Sequence, residues 1–185
     1  MKNKLLLLFI AVFLSANIVK AQEKKERLVE RSIYGIQAGL FGAWAYNETA
    51  IGNELTLKTE IGLNTGVFGG SYYPKTGYVM FPTLSLEPRY YYNMKRREKL
   101  GKRISNNSGN FFSLKTSFNP DLFVISNYKL SMNNHLTVVP KWGLKRTFAK
   151  NFEYEFSAGV GYVYDIDVNV GDAILDVGFR IGYRF

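Results

Sequence analysis

The sequence predicts an all-β protein, an antiparallel up-and-down transmembrane β-barrel of eight strands. Three observations predict it. The stretch 173–185, AILDVGFRIGYRF, sets Ala173, Leu175, Val177, Phe179, Ile181, Tyr183 and Phe185 on one face and Asp176, Gly178, Arg180, Gly182 and Arg184 on the other, the period of two of a strand with one apolar side. This stretch and others like it outrun the average globular strand of about five or six residues and match the roughly 9 to 11 tilted residues that cross a bilayer. The polar faces, finally, carry glycine as well as charge: Gly35, Gly39, Gly62, Gly66, Gly159, Gly161, Gly178 and Gly182. Glycine gains nothing on the wet face of a soluble sandwich or lipocalin-like barrel, whereas a narrow eight-stranded interior needs small side chains beside large ones.

Composition agrees with one domain of this kind. The 185 residues contain no cysteine, one histidine, 17 glycines, 13 tyrosines and 14 phenylalanines, with a formal charge of +9. Aromatic rings anchor at lipid headgroups, and the absence of cysteine excludes a disulfide framework, a thiol nucleophile and a lipidated cysteine. At the N-terminus, Lys2 and Lys4 precede an apolar run over residues 5–14 and the small-residue site Val19-Lys20-Ala21. This predicts a signal peptide over 1–21, cleaved after Ala21; its apolar run is too short for a spanning helix of about 20 residues. Residues 22–31, QEKKERLVER, lack alternation and read as a mobile periplasmic lead-in. The barrel then occupies 32–185.

Taken in order, the first strand has Tyr34, Ile36, Ala38, Leu40, Trp44 and Tyr46 facing one way and Gly35, Gln37, Gly39 and Ala43 the other, ending in a break at 47–53. The second, 54–68, places Lys58 and Glu60 opposite Leu55, Leu57, Ile61, Leu63 and Val67. The third, 78–93, sets Thr83, Ser85, Glu87 and Arg89 against Met80, Leu84, Leu86, Tyr90 and Tyr92, and Pro82 and Pro88 each remove a ladder donor, predicting a bulge or an unpaired spot. A basic stretch comes next, with Lys95, Arg96, Arg97, Lys99, Lys102 and Arg103, and reads as a loop. The fourth strand is 110–118. Residues 122–130 alternate poorly and complete the even count of eight as a fifth strand. The sixth, 136–148, turns Lys141 and Lys145 away from Val138, Trp142 and Leu144; the seventh, 152–168, turns Glu153 and Glu155 away from Phe152, Tyr154 and Phe156.

The chemistry these strands carry is electrostatic. Lys58, Glu60, Glu87, Arg89, Lys141, Lys145, Glu153, Glu155, Arg180 and Arg184 face inward and can neutralise one another across strands, which predicts a plugged lumen rather than a pore. With periplasmic termini, the strand count puts the basic segment outside, where Lys95 to Arg103 would form a solvated loop that keeps the barrel tip polar or meet lipopolysaccharide phosphates. Asp165, Asp167, Asp172 and Asp176 are expected near the last hairpin, splayed into solvent or holding calcium or magnesium. His135, in the turn-like Met132-Asn133-Asn134-His135, has no acid nearby in sequence, and Ser126 and Ser131 have no nucleophile motif around them, so no catalytic residue, cofactor or metal site is assigned.

The signal peptide and a final strand closed by Phe185 resemble those of small bacterial outer-membrane β-barrel proteins, in whose C-terminal signal the terminal aromatic and the alternating residues before it, here Phe179, Ile181, Tyr183 and Phe185, are read by the assembly machinery. The run LEPRYYYN at 86–93 looks like a segment that recurs in such proteins. Similarity to the OmpA-like eight-stranded class implies a monomer in the outer membrane of a Gram-negative bacterium, among lipids and lipopolysaccharide, with a structural, envelope-integrity or surface-interaction role and no nucleic-acid partner. No cell-wall-binding domain is expected after Phe185. The alternatives are a small porin and a lipid-modifying enzyme of the same membrane.

Overall fold

Alternation of apolar and polar residues is carried through eight long strands that close on themselves. The computed structural model describes residues 27–71 and 74–185; the predicted signal peptide, with its cleavage after Ala21, and residues 22–26 lie outside them. The strands are β1 (Ser32–Gly39), β2 (Gly42–Ala50), β3 (Leu55–Phe68), β4 (Gly77–Tyr90), β5 (Asn110–Asn119), the two-residue β6 (Ile125–Ser126), β7 (His135–Thr147), β8 (Phe152–Asp165) and β9 (Val170–Arg184). A short helix, α1 (Met94–Lys99), and a single 3-10 turn at Ser105–Asn107 lie between β4 and β5. Each long strand pairs antiparallel with the next, β5 pairs with β7, and β9 returns to β1 from Gly35↔Arg184 to Gly39↔Arg180. The result is an eight-stranded antiparallel ring, with β6 a side contact on β4 at Val79 and Met80.

Eight is the predicted number, but two of its strands are corrected. The first segment is not one strand. The chain reverses at Leu40 and Phe41, with Gly39 facing Gly42 across the hairpin, and Gly42 adopts φ 144°, which L side chains rarely take. In a two-residue hairpin, paired positions have opposite parity, so the inward set switches from odd to even. Trp44 and Tyr46 are therefore buried inside while Ala43 faces out, the reverse of the expected faces. Residues 122–130, conversely, form no spanning strand and contribute only β6 to the sheet.

Adding one strand early reverses the direction of every later crossing up to residue 122. The segment 94–109 accordingly lies at the end of the ring where β1 begins and β9 ends, not at the opposite end as predicted. Lys95 meets Glu54 of the β2–β3 turn at 3.6 Å. Nor is the whole lead-in free: Val29 is buried, the Leu28 amide donates to the Asn53 carbonyl at 3.1 Å, and Glu30 exchanges hydrogen bonds with Asn106 and Asn107.

Pro88 gives the expected unpaired spot, and neither Pro82 nor Pro88 makes a bulge, both pairing with β3 in one continuous register. Pairing of β4 with β5 lapses between Leu86 and Arg89, around Pro88, and that of β7 with β8 lapses between Val138 and Lys141, around Pro140, while the register on either side is unchanged. Outside, Ile36, Ile61, Tyr90, Val160, Leu175 and Ile181 are exposed. Aromatic rings gather at the terminal end, where Phe152 contacts both Phe148 and Tyr183, Tyr183 contacts Phe185, Tyr92 contacts Phe112, and the Trp142 indole donates to the Tyr92 hydroxyl at 3.0 Å.

Candidate functional site

The interior has two unlike halves. At the terminal end, Val29, Ala50, Tyr91, Met94 and Phe111 form an apolar cap beneath the ring, with Leu28 and Ile104 packed against it. Above it lies an ion network, drawn inward by strand parity from seven strands. Arg89 grips Glu155 with two hydrogen bonds, at 2.8 and 2.7 Å, and Glu87 with a third at 2.7 Å, its guanidinium lying 4.3 Å from the Phe111 ring centre. Lys145 bridges Glu48 at 2.8 Å and Glu153 at 3.3 Å, and Arg184 reaches Glu153 at 3.3 Å. Lys58 meets Glu60 at 2.7 Å and Glu155 at 3.6 Å. Lys141 binds Asp176 at 3.1 Å.

All ten predicted lumen residues stand in this network, every one buried. Sequence reasoning missed two more members. Glu48, fully buried, accepts hydrogen bonds from Thr56, Tyr91, Asn107 and Lys145; it was hidden in the presumed break after Tyr46. Lys115, 3.3 Å from Glu60, could have been found from the alternation of NFFSLKTSFN, where Lys115 shares a face with Phe111, Ser113 and Ser117. Tyr91, just past β4, is held well above its usual pKa by burial and by the adjacent Glu48 carboxylate, so its hydroxyl remains a donor. Such a cluster is stable in a low-dielectric interior only because each charge meets an opposite one.

The network is not electrically even. Lys58, Arg89, Lys115, Lys141, Lys145, Arg180 and Arg184 are seven cations, set against the six carboxylates of Glu48, Glu60, Glu87, Glu153, Glu155 and Asp176. The crowding falls on Glu60, which takes Lys58 at 2.7 Å, Arg180 at 2.7 Å and Lys115 at 3.3 Å.

The half away from the termini is open. A cavity of about 810 Å³ has Lys115, Arg180 and Asp176 at its base and Ser117, Asn119, Thr137, Val163 and Ile174 on its walls. The glycines report the contrast: a Cβ on Gly182, in the filled half, would lie 2.9 Å from Gln37 and 3.0 Å from Glu153, whereas on Gly178 its nearest neighbour would be Ser157 Oγ at 3.9 Å. The buried charges thus occupy the half of the ring's interior where β1 begins and β9 ends, and the cavity occupies the other.

The remaining predicted residues are scattered. Arg96, Arg97 and Lys99 lie on α1 with Lys95, and Lys102 and Arg103 come just after it; Arg97 donates to the Arg103 carbonyl at 2.8 Å. Phe179, Ile181, Tyr183 and Phe185 are exposed on the outer face. The four acids do not converge. Asp165 receives Asn133, Asp167 receives the Asn134 amide and side chain, Asp172 is exposed, and Asp176 sits six positions beyond the start of β9, roughly 20 Å along the strand. Among the described residues, no group of three or more His, Asp or Glu could hold a metal ion.

His135 does find an acid in space, from the facing strand: its Nε2 is 3.5 Å from Asp165 Oδ2, and its Nδ1 is 2.8 Å from the Asn133 carbonyl. With both ring nitrogens engaged, none is directed at a hydroxyl. Ser126 donates instead to the Tyr78 carbonyl at 2.6 Å, and Ser131 is exposed. No protein-family model, curated protein or solved structure matches the chain.

Proposed function

We propose that the chain is a monomeric barrel spanning the outer membrane of a Gram-negative bacterium, with a structural, envelope-integrity or surface-interaction role and no through-channel. The observation that carries this reading is the inverted distribution of polarity: charges are buried inside the ring, and the exposed outer face is aliphatic with aromatic rings gathered at the terminal end. Water-soluble folds bury the opposite set, while a closed ring satisfies the backbone in hydrocarbon. Among the described residues no helix is long and apolar enough to cross a membrane. In this reading the assembly machinery recognises the segment ending in Phe185, and the partners are outer-membrane lipids. With periplasmic termini, the basic residues of α1 face the periplasm and the inner leaflet, which leaves lipopolysaccharide to the opposite rim.

The test is recording from purified protein in planar bilayers, alongside gel mobility with and without heating. A heat-modifiable band with no steady conductance is expected, because the apolar cap and the ion network close the terminal half. Large reproducible conductance steps would replace this reading with the porin, and a band indifferent to heat, from protein that remains soluble without detergent, would remove the membrane altogether.

A further inference from the structure

The wall of the ring is incomplete beside the open cavity. β1 pairs with β9 only as far as Gly39↔Arg180, so β9 residues 170–179 run on without a partner from β1, and β2 ends on β3 at Gly42↔Asn64 while β3 continues to Phe68. The β1–β2 hairpin therefore stops short of its neighbours and leaves a notch between β9 and β3, three strand spacings or roughly 14 Å wide. The turn at its foot is Leu40-Phe41, 81% and 57% exposed. Turns that reach water are built from polar residues and glycine; an apolar tip marks one that ends in hydrocarbon. The unpaired edge of β9 is tolerable there because it borders a cavity with a polar base.

We propose that this notch admits a long-chain carboxylate from the membrane, its hydrocarbon leaving past Leu40, Phe41, Val177 and Phe179 and its head meeting Lys115 and Arg180 at the base of the cavity. Charge selects the head. Three cations already share Glu60, and the buried network carries one positive charge more than it has carboxylates, so one further monoanion balances it. Size and chemistry select the tail: about 810 Å³ lies within the range of about 300–1,000 Å³ for small-molecule sites, and the sides of the notch are apolar outside and polar within. The proposal rests on the membrane-spanning reading above.

The experiment uses the mature protein in phosphatidylcholine nanodiscs, where heat-modifiable mobility of the same sample reports separately on barrel formation. The probe is 11-(dansylamino)undecanoic acid, monitored by fluorescence and displaced by palmitate, hexadecanol or acetate. One-to-one saturable binding, displaced by palmitate and by neither of the others, is expected. Lys115→Met should weaken it about tenfold or more, from loss of a charged hydrogen bond. Gly178→Phe, whose Cβ would meet nothing nearer than Ser157 Oγ at 3.9 Å, should abolish it while leaving the mobility shift unchanged. Absence of saturable binding in correctly formed barrels, equal displacement by hexadecanol or acetate, or full binding by the Gly178→Phe protein would each overturn the proposal; failure to form the barrel would instead strike the membrane reading beneath it.

Discussion

Arg89 holds two of the network's six carboxylates, satisfying Glu155 twice and Glu87 once while stacking on Phe111. Replacing it by methionine keeps much of the volume, leaves Glu155 with Lys58 at 3.6 Å and leaves Glu87 with the Ser113 hydroxyl. Breaking a buried pair in this way costs about 3–5 kcal/mol, so Arg89→Met should lower the free energy of unfolding from detergent by that order, read by urea titration of tryptophan fluorescence. A change under about 1 kcal/mol, the value of an exposed pair, would mean that water reaches the network. Most of these residues were legible in the sequence because a charge on the polar face of a long strand has one direction in which to point. Glu48 was not, because it falls in the expected break at 47–53, whereas Lys115 is legible in the alternation of residues 110–119.

At the scale of the element, the informative piece is the β1–β2 hairpin. Its turn escaped detection because Leu40 and Phe41 prolong the apolar pattern where a turn in water would interrupt it, and only the pair Gly39 and Gly42 around them marks the reversal. In the proposed membrane-spanning reading the tip lies at a depth in hydrocarbon that accounts for this, and that depth can be measured. Lysine on a lipid-facing site costs about 2–4 kcal/mol at the midplane and about 0–1 near the interfaces. Phe41→Lys should therefore destabilise the barrel by about 2 kcal/mol, and Asn169→Lys, at the positive-φ tip of the β8–β9 hairpin, by well under about 1 kcal/mol on the same scale. Equal, small effects at both positions would place the short hairpin in water. Residues 122–130 show the converse limit: without alternation they have no apolar face to bury, and they fold against the rim as loop with one two-residue strand.

For the whole molecule, closure of β9 on β1 joins the two ends of the chain, and the Phe185 amide donates to the Tyr34 carbonyl at 3.1 Å. Phe185 itself is 80% exposed and touches Tyr183, so it contributes little to the packed interior. Deleting it should leave refolded protein within about 1 kcal/mol of the parent, as for other surface changes, while reducing the amount found in outer-membrane fractions of cells. Undiminished outer-membrane levels with normal heat-modifiable mobility would show that the terminal aromatic is not an assembly signal.

Local alternation, read from the sequence by itself, determined that the chain forms long antiparallel strands and which side chains of β3, β4, β7, β8 and β9 turn inward, because a strand's period is two wherever the strand lies. It also determined that the inward charges come in opposite signs. Only the tertiary structure decided that Trp44 and Tyr46 are inside, that the basic segment lies at the end of the ring where β1 begins and β9 ends, and that the buried charges gather in one half of the interior. Each of these depends on a turn or on ring closure, and a single additional crossing reverses both the parity and the direction of the strands after it.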